Sequence, residues 1–544
     1  MSDQVELHIE GMHCDHCEST VGEALNRAGM AEVSVDWRRG TATSIPDAGF
    51  NLESASGEVA ALGYQVVPET EEDMAPGNAD GEYDLVIIGS GAGAFAAAIK
   101  ARELGARVAM VERDQVGGTC VNIGCIPSKA LLRAAEAYWR AGHSPFAGVE
   151  TQAGAVDLQA LMAQKDDVVS KLRKEKYEDL LTHYEIDLIR GEATFTDGEA
   201  LDVDGHALKA YRFLIATGAA PWVPPIDGID DVEYLTSTSA LELEEIPAEL
   251  IVVGAHAIGL EIGQLYTHLG SKVTFVEALD RVAPFEEPEI SDIIATHLES
   301  LGATIHTSAQ ATRAGTVDNR VWLDIETPDG SQRVEADRLL MATGRRARTA
   351  TLGLDAAKVE VDQRGHVVID HHLQTTNDRI YAAGDVTNHP QFVYVAALGG
   401  NIAAENAIRG TSRKIDFTTM PRVTFTTPTI ASVGLTEQQA RDAHKQVITS
   451  LLPLQAVPRA LVDHDTVGLV KLVADEATGH LLGAHIIADG AGDVIQAAVM
   501  ALKYRATIDE IAATYHPYLT MAEALKLAAQ GFNKDISMLS CCAA

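Results

Sequence analysis

The sequence predicts an α/β protein with two Rossmann-like units, preceded by a small ferredoxin-like domain. Three observations carry that prediction. An apolar strand, a glycine turn, a helix and an acid-ended strand follow one another over residues 83–112. The same order returns over 250–277. Over residues 1–67, segments of period two and period 3.6 alternate in the order βαββαβ.

In that first stretch, residues 5–9 alternate like a strand and 19–28 suit an amphipathic helix. Strands at 33–37 and from 41, a helix at 52–62 and a strand at 64–67 complete the order. Between its first strand and first helix stands Gly11-Met12-His13-Cys14-Asp15-His16-Cys17. Two thiolates at this spacing, one at a helix N-terminus, hold a soft metal ion with two sulfurs. A redox Cys-x-x-Cys would sit in a thioredoxin-like context, which is missing. A structural zinc site would draw its other ligands from His13 and His16. Residues 68–81 are acidic, carry Pro and Gly and lack periodicity, which is the composition of a linker.

The first nucleotide unit reads Gly89-Ser90-Gly91-Ala92-Gly93-Ala94 after its strand. Gly89, Gly91 and Gly93 let backbone approach a pyrophosphate at the helix N-terminus, Ala94 closes the fingerprint, and Glu112 faces a ribose hydroxyl. In the second unit Gly254 and Gly259 flank His256, which replaces the middle glycine, and Glu277 ends the strand. Two such folds imply two nucleotides, a bound flavin and a nicotinamide.

Charge and cysteine usage bound the rest. Lys and Arg number 42 against 78 Asp and Glu, a net charge of −36, which excludes nucleic acid and anionic membranes as partners and fits adaptation to high salt. No apolar run is long enough to span a bilayer, and residues 1–6 lack a basic leader, so a cytoplasmic location is expected. The 6 cysteines fall into three close pairs: Cys14/Cys17, Cys120/Cys125 and the vicinal Cys541/Cys542 near the C-terminus. Close pairs suit redox exchange or capture of a soft ion better than a structural framework.

The most specific signal is Gly117-Gly118-Thr119-Cys120-Val121-Asn122-Ile123-Gly124-Cys125-Ile126-Pro127-Ser128-Lys129. It resembles the redox-active cysteine helix of the pyridine nucleotide–disulfide oxidoreductases. Thr217-Gly218, Ala342-Thr343-Gly344 and Tyr381-Ala382-Ala383-Gly384-Asp385 match that family's other signposts. The N-terminal segment, in turn, resembles a heavy-metal-associated domain. The resemblance implies FAD held by the first unit with Thr119, Thr217, Gly218, Gly344 and Asp385, and an ion pair of Lys129 with Glu261 beside it. It implies Cys125 as the thiolate against the flavin and Cys120 facing substrate. It also implies a homodimer with a shared active site, closed by an α+β dimerisation domain. The expected division is 1–67 metal-binding, 68–81 linker, 82–220 FAD-binding, 221–345 NAD(P)-binding, 346–417 central, 418–532 dimerisation and 533–544 a tail carrying the vicinal cysteines.

Disulfide-reducing members of the family carry a histidine acid five residues before a glutamate. Counting back from Glu523 lands here on Tyr518, and the nearby His516 has the wrong offset. A phenol is a poor proton relay at neutral pH, with an unperturbed pKa of about 10. Together with the three cysteine pairs, this resembles the branch of the family that reduces mercury(II) with NADPH. On that resemblance Cys14 and Cys17 collect the ion from its thiol complexes. Cys541 and Cys542 deliver it to Cys120 and Cys125, and Tyr518 helps hold it. Glu277 is the residue type that favours NADH over NADPH, with Arg281 as a possible offset. Two other readings stand beside this one: a lipoamide- or glutathione-type disulfide reductase with an accessory metal domain, and a non-catalytic soft-metal carrier.

Overall fold

The computed structural model describes the backbone of residues 5–10, 15–36, 41–46, 52–60, 62, 64–67, 83–443 and 446–538. The chain divides into two compact units, Met1–Gly81 and Glu82–Ala544.

In the first unit, strands Val5–Glu10, Met30–Asp36, Thr41–Pro46 and Gln65–Val67 form one antiparallel sheet, with Val5–Glu10 and Thr41–Pro46 in the middle. Leu7 and Ile9 from the first strand pack with Val21 and Leu25 of helix Asp15–Arg27 and Val59 of helix Leu52–Ala60. The alternation in the strands and the 3.6 period in the helices therefore aim at one core. The expected βαββαβ order is present. Helix Asp15–Arg27 begins four residues earlier than the apolar period suggests, because acidic Asp15 complements the positive helix end without adding to the apolar stripe. That start puts the backbone of Cys17 in the first turn, while Cys14 lies outside the described residues.

The second unit is built on two parallel sheets. Strands Asp187–Arg190, Val108–Glu112, Tyr83–Ile88 and His206–Ile215 lie side by side in that order, and Ile380–Ala382 adds in parallel beyond His206–Ile215. Being covered on both faces, residues 85–88 of strand Tyr83–Ile88 read as an unbroken apolar run rather than an alternation. The other parallel sheet runs Thr304–His306, Lys272–Val276, Glu249–Val253, Arg338–Met341. Between the two sheets the chain leaves on Ala219–Pro221 and returns on Arg345–Ala347, which pair antiparallel. The second nucleotide fold is thus an insertion in the first.

From Pro421 onward a five-stranded antiparallel sheet follows, in the order Pro421–Thr424, Thr429–Gly434, Leu481–Ala488, Leu469–Asp475, Val447–Pro453. Helices Ala491–Lys503 and Glu523–Gln530 share its core. Among the described residues, no helix is long and apolar enough to cross a membrane.

Candidate redox and nucleotide sites

At the end of Tyr83–Ile88 the chain turns through Gly89, whose φ is +104° and where a Cβ would stand 2.5 Å from the Ala216 carbonyl oxygen. Only glycine fits that turn. Gly91 then caps helix Ala92–Glu103, and Gly93 lies against the helix Val393–Arg409, where a Cβ on Gly400 would meet the Gly93 carbonyl oxygen at 2.0 Å. Glu112 accepts hydrogen bonds from Ser90 Oγ and from Asp114 N, the latter at 2.8 Å. Gly89, Gly91, Glu112, Thr119, Thr217 and Gly218 line one cavity of about 330 Å³. Cβ-free backbone at a helix N-terminus with an acid at its rim is the donor set a dinucleotide pyrophosphate and ribose require.

Asp385 and Gly344 are not among the residues that line this cavity. Burial pushes the Asp385 carboxyl up, against the pull of Arg345, whose Nε lies 3.8 Å from it. Arg345 is itself buried, and its Nε has no hydrogen-bond acceptor. An orphaned donor beside an acid fits a polar ligand chain passing here. Gly344, at φ +119°, accepts from Trp222 N at 3.0 Å and so braces the crossover between the two folds.

Gly117 and Gly118, both at positive φ, lead into helix Gly118–Ile123; Gly124 breaks it, and Cys125 starts helix Cys125–Gly142. The break brings Cys120 and Cys125 together, both half-buried, with their thiols hydrogen-bonded to each other. That hydrogen bond splits their proton affinities. Cys125 is lowered to about 7 by the Cys120 thiol, and by the Lys129 charge, against burial. Cys120 is pushed well up by the same bond and by burial. One proton therefore sits between two sulfurs, with the charge on Cys125.

Lys129, one turn along that helix, pairs with Glu261 at 2.6 Å. The other oxygen of Glu261 accepts from Phe425 N at 2.9 Å, and Lys129 Nζ lies 4.6 Å over the Phe425 ring. One helix turn after Glu261, Gln264 both donates to Thr427 O and accepts from Thr427 N. A charge beside the thiols is thus anchored to the nicotinamide-type fold and to the C-terminal domain at once.

Sequence reasoning missed Tyr177. It sits on the π-helical turn Lys174–Glu178, edge-to-face with Phe95 at 5.0 Å, and its hydroxyl is pushed up by burial and by the charges of Cys120 and Cys125. A tyrosine on an amphipathic helix reads as core, so no local signal marks it. Arg345 was missed because an arginine at the start of the short strand Arg345–Ala347 reads as a solvated surface charge.

The second glycine turn keeps its geometry. Gly254 has φ +96° with a virtual Cβ 2.5 Å from Ala342 O, and at Gly259 a Cβ would overlap the Gly254 carbonyl. His256, at the middle position, is extended with φ −108°, a conformation open to any residue, and its ring packs edge-to-face on Phe285. Glu277 accepts from Ala255 N at 2.7 Å and Leu279 N at 2.9 Å. Arg281 turns its Nη2 to Pro284 O and lies 3.6 Å from Asp280.

Tyr518 is half-exposed on the loop before helix Glu523–Gln530, and His516 holds Thr514 O at 3.0 Å through its Nδ1. Glu523 is buried. Cys541 and Cys542 lie outside the described residues, as does the linker 68–81.

Comparison with known proteins follows the same division. Residues 83–400 match the model of the pyridine nucleotide–disulphide oxidoreductases, and 420–529 match that family's dimerisation domain. A mercuric reductase of Staphylococcus aureus is 50% identical over 542 residues, covering 99% of both chains. One from Streptomyces lividans is 52% identical over 467 residues, 85% of this chain and 98% of that one. Among solved structures, a hypochlorous-acid-induced flavoprotein disulfide reductase of Escherichia coli is 32% identical with a TM-score of 0.75, covering 82% of this chain and 99% of that one.

Proposed function

The chain belongs to the pyridine nucleotide–disulphide oxidoreductases, and to the mercuric reductases among them, and on that premise we propose that it reduces mercury(II) to elemental mercury with electrons from a reduced nicotinamide nucleotide. The observation that carries this reading is the Cys120/Cys125 pair sharing one proton beside Lys129. Mercury(II) prefers two thiolates, and it moves between sulfur pairs by ligand exchange. Cys125 is already in large part thiolate near neutral pH, whereas ligation by Cys120 expels the shared proton. The Lys129 ammonium offsets the charge that builds on the two sulfurs when the metal departs. FAD, held by Gly89, Gly91, Glu112 and Asp385, supplies when bound the electron pair that converts the ion to the metal and leaves both sulfurs as thiolates.

In substrate traffic, Cys14, Cys541 and Cys542 lie outside the described residues, and Cys17 is described by its backbone. Cys14 and Cys17 take the ion from small thiols, and Cys541 and Cys542 of one subunit hand it to the inner pair of the other. Tyr518 helps hold the ion at the inner site, and Tyr177, whose hydroxyl feels the charge of both sulfurs, adds a second phenol there. A homodimer built through the C-terminal domain and a cytoplasmic location, where thiols stay reduced, complete the reading. Similarity to mercuric reductases implies NADPH as the electron source, whereas the acid closing the second nucleotide fold favours NADH.

The test is oxidation of the nucleotide in excess thiol with mercuric salt added, and the mercury vapour trapped. Equal amounts of nucleotide consumed and vapour released support the reading. Brisk turnover of lipoamide or glutathione disulfide, with mercury left oxidised, would sink it in favour of a disulfide reductase. Purified protein without flavin would favour a soft-metal carrier.

A further inference from the structure

Glu112 and Glu277 hold equivalent places, each directly after the apolar part of the second strand of its nucleotide fold. Their carboxylates are also held alike. One oxygen accepts the N–H two residues onward: Asp114 N to Glu112 at 2.8 Å, Leu279 N to Glu277 at 2.9 Å. The other oxygen turns back to the residue that follows the first glycine, Ser90 in one fold and Ala255 in the other. Each acid is therefore pinned against the turn that cradles a pyrophosphate, at the place where the adjoining ribose lies. In the first fold that ribose belongs to the flavin dinucleotide, which carries a free 2′-hydroxyl. The second fold repeats the same acceptor in the same setting.

A 2′-phosphate there needs a cation, and the surroundings supply little: burial holds the His256 imidazole below its ordinary range, and Arg422 is paired with Glu286 at 3.3 Å. Between Glu277 and Glu289 the sequence holds one basic residue, Arg281, against Asp280, Glu286 and Glu287. The Arg281 guanidinium is directed to Pro284 O at 3.0 Å and neutralised in part by Asp280 at 3.6 Å. Glu277 is fixed by two backbone N–H groups and does not swing away to admit a second anion without leaving both donors unpaired.

The geometry points to Glu277 as the specificity-determining residue of the second fold, selecting a nicotinamide dinucleotide with a free 2′-hydroxyl, so that this chain draws its electrons from NADH in preference to NADPH. The inference rests on the proposed function only in assigning the second fold to a nicotinamide nucleotide. The redox chemistry is the same for either nucleotide, a hydride passing from the dihydronicotinamide to the bound flavin; only recognition differs.

The test leaves mercury out, so its failure and a failure of mercury reduction are separate results. FAD-loaded enzyme is mixed anaerobically with NADH or NADPH, and flavin bleaching is followed in stopped flow against nucleotide concentration. Calorimetric titration with NAD⁺ and NADP⁺ reads binding alone. The wild type is expected to favour NADH by at least about tenfold in the second-order rate constant, most of it in the dissociation constant. Glu277→Gln narrows that ratio and Glu277→Arg inverts it. Wild-type preference for NADPH, or a ratio that stays the same in both variants, overturns the inference. If Glu277→Arg fails to retain FAD, the wild-type ratio and Glu277→Gln decide alone.

Discussion

Removing the Cys120 thiol should raise the pKa of Cys125. Cys125 is lowered from 9.0 to about 7, and the leading cause is the hydrogen bond from Cys120. Two units correspond to about 2.7 kcal/mol, and a hydrogen bond to a charged acceptor supplies about 1.5–3 kcal/mol, so that one bond accounts for most of the shift. Lys129 contributes less, because Glu261 at 2.6 Å shares its charge. In Cys120→Ala the Cys125 midpoint should therefore rise by about 1–1.5 units. At pH near 7.5 the thiolate fraction then falls from roughly three quarters to between a tenth and a quarter. The assay is the pH dependence of iodoacetamide alkylation of the reduced enzyme, with the Cys125 peptide resolved by mass spectrometry so that the other cysteines do not interfere. A midpoint that stays near that of the wild type would show that the helix N-terminus and Lys129 set the thiolate, and that the shared proton does not.

Two further substitutions test the frame around the pair. Gly400→Ala places a methyl carbon 2.0 Å from the Gly93 carbonyl oxygen, so the helix carrying the flavin-side glycine turn must shift by about 1 Å or more. Weaker FAD retention, read from flavin absorbance after gel filtration, is expected, and full flavin content at unchanged affinity would count against it. Lys471, 2% exposed, has its Nζ 2.8–3.0 Å from Glu287, Glu289 and Glu437. Against burial, these three acids hold the ammonium above its ordinary range. Lys471→Met leaves the buried Glu287 without its ammonium and should cost about 3–5 kcal/mol near neutral pH. Urea unfolding reads the deficit, and a variant as stable as the wild type would refute it.

How much of this was legible in the sequence depends on how local each feature is. Gly89, Gly254 and the acids Glu112 and Glu277 announce themselves, because a tight turn, a helix N-terminus and a strand end fall within one supersecondary unit. The Cys120–Cys125 break is similarly local, with Gly124 between two helical turns. Lys471 misled. In Leu-Val-Lys-Leu-Val it reads as the exposed face of a strand, yet it is buried by acids some 180 residues upstream that no window can see. Phe425 offers its N–H to Glu261 across the domain boundary, and Gln264 grips Thr427 by the same route. Backbone donors carry no residue signature at all.

These long-range pairings have a consequence for how the molecule works. Glu261 and Gln264 share one helix, Ala257–His268, which starts at the glycine turn of the second nucleotide fold. Its first turn follows that glycine turn; its next holds Lys129, and through Lys129 the charge beside Cys125. The same two residues seize Phe425 and Thr427 at the entrance to the C-terminal domain. A single helix therefore ties the second nucleotide fold, the sulfur pair and the dimerisation domain. Motion of this helix cannot change one of the three without straining hydrogen bonds to the other two. That coupling gives the Lys129–Glu261 pair a consequence a lone lysine on the cysteine helix would lack: the charge beside Cys125 is tied to the position of the second nucleotide fold.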